Sequence, residues 1–187
     1  EAILMSKKLV LFGDSLFGEI RKTETLMLEE KLGGEYDVYN CATGGWSTND
    51  LVKKAPYISG LKPEIVIISA GTNDSAPWKR VELGTFKSNL PIIAEKFSQS
   101  RVIFFPPPPV TEVLLEENKI MSNEAVKMYN DAVIEFCKEA SIGYIDSWSF
   151  FMKLKDNNQS YHVADGIHFT REGYDLLFSE LSEVVKS

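Results

Sequence analysis

"LVLFGDSLFGEI", residues 9–20, joins an apolar run to an amphipathic one through a glycine, an aspartate and a serine. Residues 9–12 have the length and composition of a buried strand, because a strand covered on both faces shows no polar alternation. Gly13 permits a sharp bend. Ser15 then falls where a strand hands over to a helix, and a serine there is either a helix cap or a nucleophile.

Further β-rich runs follow at "YDVYN" (36–40), "EIVIISA" (64–70), "RVIFF" (101–105) and "GYID" (143–146), with helical period over 25–32, 86–97 and 124–139. Strands alternating with helices predict an α/β fold, a mainly five-stranded parallel sheet in a three-layer α/β/α sandwich. The closing "REGYDLLFSELSEVVKS" (171–187) reads as a helix packing across the first strand. There is no repeat, low-complexity tract or linker composition, so residues 5–187 read as one domain. "EAIL", residues 1–4, reads as an appended remnant ahead of a native start at Met5.

Composition narrows the function. Lys+Arg 20 against Asp+Glu 27 gives a net charge of −7 with no basic stripe, so a nucleic-acid backbone would be repelled. No apolar run approaches the roughly 20 residues needed to span a bilayer, and no signal-peptide pattern opens the chain. Cys41 and Cys137 lack metal-site spacing and read as free thiols, which points to a cytoplasmic protein.

Two irregular regions interrupt the α/β rhythm. Pro106, Pro107, Pro108 and Pro109 follow the fourth strand, so the chain must leave the sheet as a stiff loop, a candidate pocket wall reaching to about Ser122. Its acidic "TEVLLEENK" reads as a solvated face. "KDNNQSYHVADGIHFT" (155–170) is polar and turn-rich yet carries both histidines. In open parallel sheets ligands sit beyond the strands' carboxyl ends at the switch point, where Ser15, Gly45, Asn73 and the proline loop should converge.

Four blocks line up in order: "FGDSL" (12–16), "NCATGGWST" (40–48), "SAGTNDS" (69–75) and "DGIHF" (165–169). Together they resemble the GDSL, or SGNH, hydrolase family of esterases, over nearly the whole chain. "GTNDSA", "GGWST", "FFPPPPV" and "DGIHFTREGYDLLFSEL" are most similar to the isoamyl acetate-hydrolysing esterase subgroup. The resemblance implies a flavodoxin-like fold with Ser15 as nucleophile, His168 as base and Asp165 as its orienter. It also implies oxyanion donors at Ser15, Gly45 and Asn73.

The chemistry suits those residue types. A serine hydroxyl needs a neighbouring base, and an imidazole titrating near neutrality serves. Asp165 stands three residues before His168, so one turn brings its carboxylate to the ring and fixes the tautomer. Attack on an ester then gives an oxyanion, an acyl-serine and finally the acid, with no metal or organic cofactor. His162 has no such acidic partner and reads as a surface or pocket-rim histidine. Trp46, Trp78, Phe104 and Phe105 read as core or pocket packing, with Trp46, Pro107 and Pro108 as candidate substrate-pocket residues. Asp14 and Asp74 read as braces for backbone turns.

The sequence thus predicts a serine esterase for small-molecule carboxylic esters, short-acyl rather than long, with self-association left open. A lysophospholipase or thioesterase is the alternative using the same groups. A non-catalytic ligand-binding module of flavodoxin-like fold is the alternative of another class, but it leaves Asp165, His168 and Asn73 without work.

Overall fold

The computed structural model describes residues 6–112, 121–155 and 161–187. The remnant expected at 1–4 and most of the acidic face expected at 111–119 lie outside them. The strands are β1 (Lys7–Gly13), β2 (Tyr36–Asn40), β3 (Ile65–Ser69), β4 (Arg101–Phe105) and β5 (Gly143–Tyr144). All pair in parallel in the order β2-β1-β3-β4-β5, which puts the topological switch between β1 and β3.

Period two explains why the strands read as continuous apolar runs. Leu9, Leu11, Ile65, Ile67, Ile103 and Phe105 point into one core. Val10, Phe12, Val66, Ile68 and Phe104, which alternate with them, point into the other. Each fully buried side chain of this size contributes about 1.5–3 kcal/mol by leaving water. The two faces together therefore demand helices on both sides of the sheet.

The first face is covered by α1 (Ser15–Gly18), α2 (Lys22–Lys31), α7 (Ser147–Lys155) and α8 (Arg171–Lys186), through Leu16, Phe17, Leu28, Phe151, Leu177 and Leu181. As expected, α8 shares its core with Leu9 and Leu11 of the first strand. Its last turn is also held by the Arg101 guanidinium, which donates to the carbonyls of Val184 and Val185 at 2.7 and 2.8 Å. The second face is covered by α3 (Thr48–Ser59), α5 (Leu83–Glu95) and α6 (Asn123–Ala140), through Leu51, Phe86, Leu90, Tyr129 and Val133. The single-turn α4 (Thr72–Ser75) follows β3.

Helix boundaries differ from the periodicity by one to three residues, since the backbone turns do not end where the apolar stripe does, with side-chain caps at the N-termini of α2 and α6. β5 is shorter than "GYID" because Asp146 turns away to accept the Ser149 amide and open α7. Among the described residues no helix is long and apolar enough to cross a membrane.

Candidate active site

The bend after β1 is built for close approach. Gly13 has φ +139°, and a Cβ there would lie 2.1 Å from the Ser69 carbonyl oxygen on β3, so only glycine fits. Asp14, not Ser15, caps α1: its carboxylate accepts the Leu16 amide at 3.0 Å and the Ser69 hydroxyl at 2.8 Å. The far end of this short helix is held by Asn40, which donates to the carbonyls of Phe17 and Ile20. The Tyr174 hydroxyl bonds the Leu16 carbonyl. With capping assigned to Asp14, the Ser15 hydroxyl is left for another partner.

That partner comes from residues 161–170, which fold back on themselves. The Val163 amide donates to the His168 carbonyl at 2.9 Å, the Thr170 amide to the Tyr161 carbonyl at 2.8 Å, and His162 bridges Phe169 antiparallel. At the tip, one Asp165 oxygen accepts the amides of Ile167 and His168 at 2.8 and 2.9 Å. Its other oxygen lies 2.5 Å from His168 Nδ1, and His168 Nε2 lies 2.7 Å from Ser15 Oγ. Burial pushes the Asp165 carboxyl up, but the bonds from His168 and Ile167 outweigh it and hold the group below its ordinary value. An ionised Asp165 only accepts, which assigns the proton to Nδ1 and leaves Nε2 to take the Ser15 hydrogen.

Gly45 occupies an exposed turn with φ +79°. Neither its amide nor that of Ser15 donates to any acceptor among the described residues. Three side chains clamp the backbone just beyond Gly45. Asn73 Nδ2 donates to the Trp46 carbonyl at 2.9 Å, and Lys79 donates to the Gly45 carbonyl. Asp50, paired with Lys79 at 2.9 Å, accepts the Ser47 amide at 2.9 Å. One hydrogen of the Asn73 amide thus braces the turn, and the second is available to a ligand oxygen. Asp74, next in sequence, accepts the Thr48 amide at 2.9 Å and hydroxyl at 2.5 Å. Their bonds make both Asp14 and Asp74 braces for backbone turns, while burial pushes Asp74 up to about 6 and likewise raises Asp14.

The candidate pocket residues are held by different contacts. The Trp46 ring packs edge-on to Phe12 at 6.2 Å, with Lys54 over it at 5.8 Å. Pro107 and Pro108 are buried, and the Pro107 ring lies against Gly71, the residue capping the turn of Asn73. Phe104 and Phe105 are core, but Trp78 is 49% exposed because it stands in the surface turn that follows α4. Cys41 and Cys137 are free thiols.

His162 is half-buried at the base of the hairpin rather than on the open surface, which leaves the pocket-rim reading standing. Its ring stacks with Phe169 and Phe151 at 5.5 and 6.1 Å, and burial pushes its pKa down to about 4. An unfolded chain therefore takes up this proton first. The contribution is complete above about pH 6.5 and is lost as pH falls toward 4, costing about 3 kcal/mol. Asp74 acts oppositely: raised to about 6, it favours the protonated folded state as pH falls toward the ordinary carboxylate range. Urea unfolding of wild type and His162→Phe isolates the histidine. The stability difference should move by about 3 kcal/mol in the variant's favour between pH 7.5 and 4; a constant difference would contradict the assignment.

A serine hydroxyl meeting an aspartate-paired imidazole at the switch point of a 2-1-3-4-5 sheet has the layout of a serine hydrolase on a flavodoxin-like fold. Residues 11–176 match the profile of the GDSL-like Lipase/Acylhydrolase family. The chain belongs to that family of carboxylic ester hydrolases and is an esterase or acylhydrolase. It is 28% identical to the GDSL esterase/lipase CPRD49 of Arabidopsis thaliana, covering 96% of this chain and 78% of the relative. It is 26% identical to the isoamyl acetate-hydrolyzing esterase 1 homolog of Mus musculus, covering 95% and 81%. In fold it resembles a lipase/acylhydrolase from Enterococcus faecalis, with TM-score 0.87 and 23% identity over 96% of this chain and 95% of that one. It also resembles the acetyl xylan esterase AlAXEase, with TM-score 0.80 and 17% identity over 95% and 99%.

Proposed function

We propose that the protein hydrolyses short-acyl carboxylic esters through an acyl-Ser15 intermediate. The observation that carries this reading is the continuous chain from Asp165 through His168 to Ser15 Oγ, at 2.5 and 2.7 Å. His168 Nε2 takes the Ser15 proton as Oγ attacks the ester carbonyl, and Asp165 stabilises the imidazolium that forms. The oxyanion is held by the amides of Ser15 and Gly45 and by the Asn73 hydrogen not used on Trp46. Each such donor contributes about 10²–10³ in rate. His168 then protonates the departing alcohol and activates the water that releases the acid. No step draws on a cofactor.

The acyl preference rests on packing. Bulky Trp46 follows Gly45 directly and the buried proline run lies against the Asn73 turn, so the acyl side is walled. Two relatives named for acetate and acetyl esters support the same preference. A p-nitrophenyl series from acetate to decanoate, measured below micelle formation, tests it. Acetate and butyrate should give higher kcat/KM than octanoate. An open groove would instead gain about 0.8 kcal/mol per methylene, and a maximum at about eight carbons or more would favour the lysophospholipase or thioesterase reading.

A further inference from the structure

His162 and Thr111 take no part in the chemistry proposed above, yet they meet at the base of the hairpin that carries it. Thr111 is reached directly from the proline run, and its neighbour Val110 is fixed at both ends by Asn123, which accepts the Val110 amide at 2.8 Å and donates to its carbonyl at 2.9 Å. The run itself is anchored from two other elements. Ser147 bonds the Pro106 carbonyl at 2.9 Å and Asn130 bonds the Pro107 carbonyl at 3.1 Å. Thr111 therefore follows directly on a stretch anchored from several elements, whose prolines also lack φ freedom.

From that post Thr111 grips the hairpin twice. Its amide donates to the Gly166 carbonyl at 2.8 Å, in the tip between Asp165 and His168. Its hydroxyl lies 2.8 Å from His162 Nδ1, at the base. The His162 ring is held flat by its stacking with Phe169 and Phe151, which are themselves stacked at 4.9 Å, so the imidazole has little rotational freedom. Phe169 in turn adjoins His168. We infer that the Thr111 hydroxyl and the His162 imidazole form a positioning lock that sets the hairpin's register against the proline post and so holds His168 Nε2 on Ser15 Oγ.

Tip and base divide the work. The amide bond at Gly166 ties the tip to the proline post at one point. The hydroxyl contact at His162 ties the base at a second point, and two points fix the hairpin's orientation and with it the direction of the His168 ring. Because a misplacement of about 1 Å costs about 10²-fold in rate, one neutral hydrogen bond has leverage on turnover without touching substrate.

This inference rests on the proposed roles of Ser15 and His168, and the test separates the two. Thr111→Val removes the hydroxyl at nearly constant volume, Thr111→Ser keeps it, and His162→Phe keeps the stacking while losing the nitrogen. With p-nitrophenyl acetate, Thr111→Val and His162→Phe should each lower kcat by about 10-fold to 100-fold. KM should stay within about twofold. Thr111→Ser should stay close to wild type, and the double variant should be no slower than the slower single one. The rate of organophosphonate labelling at Ser15 should fall in parallel with kcat.

Equal losses in Thr111→Val and Thr111→Ser would overturn the lock, since only packing would then matter. Multiplying losses in the double variant, or unchanged labelling rates, would also overturn it. Labelling of the wild type at a serine other than Ser15 would instead overturn the proposed mechanism, whatever these variants do.

Discussion

Ser15→Ala is expected to lower ester hydrolysis by about 10⁴–10⁶-fold while the protein stays folded. The loss is large because among the described residues no other hydroxyl bonds His168 Nε2, and without an attacking group the oxyanion donors have no tetrahedral intermediate to bind. The fold survives because Ser15 does not cap α1. Asp14 does, Asn40 and Tyr174 hold the carbonyls, and alanine is a good helix former at the first position. The variant loses one hydrogen bond, worth about 0.5–1.5 kcal/mol. Thermal unfolding together with p-nitrophenyl acetate turnover checks both halves: a variant with retained activity would contradict the role, and an unfolded one would contradict the capping assignment.

His168→Ala should match Ser15→Ala in severity, and the double variant should be no slower, since groups acting as one unit are not additive. Asp165→Asn should fall between, losing about 10²–10⁴-fold. The amide still accepts the Ile167 and His168 amides and preserves the tip, but it no longer fixes the proton on Nδ1 or offsets the imidazolium charge. His162→Ala should lose far less than His168→Ala, because its ring acts on the hairpin and not on the reacting atoms. Equal losses at the two histidines would contradict this division of roles.

The strands β1, β3 and β4 were legible because burial on both faces leaves largely unbroken apolar runs, whereas the edge strands β2 and β5 are only partly buried and read from their β-forming residues. Helix α3 went unread although Leu51 and Ala55 recur at helical spacing, because the polar and proline residues around them read as a loop. The single turns α1 and α4 are too short for periodicity and owe their existence to distant caps and braces. At the candidate site, Ser15, Gly45 and Asn73 stand out through the family-like blocks that hold them and Asp165 with His168 through their spacing, and the structure joins Asp165, His168 and Ser15 in one hydrogen-bonded chain.

What a linear reading misses is what the fold alone brings together. Lys79 on Gly45, Asp74 on Thr48 and Thr111 on His162 join segments that share no local pattern. The partial burial of His162 was missed for the same reason. Its sequence neighbours are unremarkable, and the rings that bury it come from Phe151 on another helix and Phe169 across the hairpin.

The most direct test of the central claim is to trap the nucleophile. The intact protein is treated with a fluorophosphonate, digested, and the adduct located by mass spectrometry, with His168→Ala as the control. A single adduct on Ser15, strongly slowed in His168→Ala, is the predicted result. An adduct on any other serine, or labelling of Ser15 that proceeds equally well without His168, would contradict it.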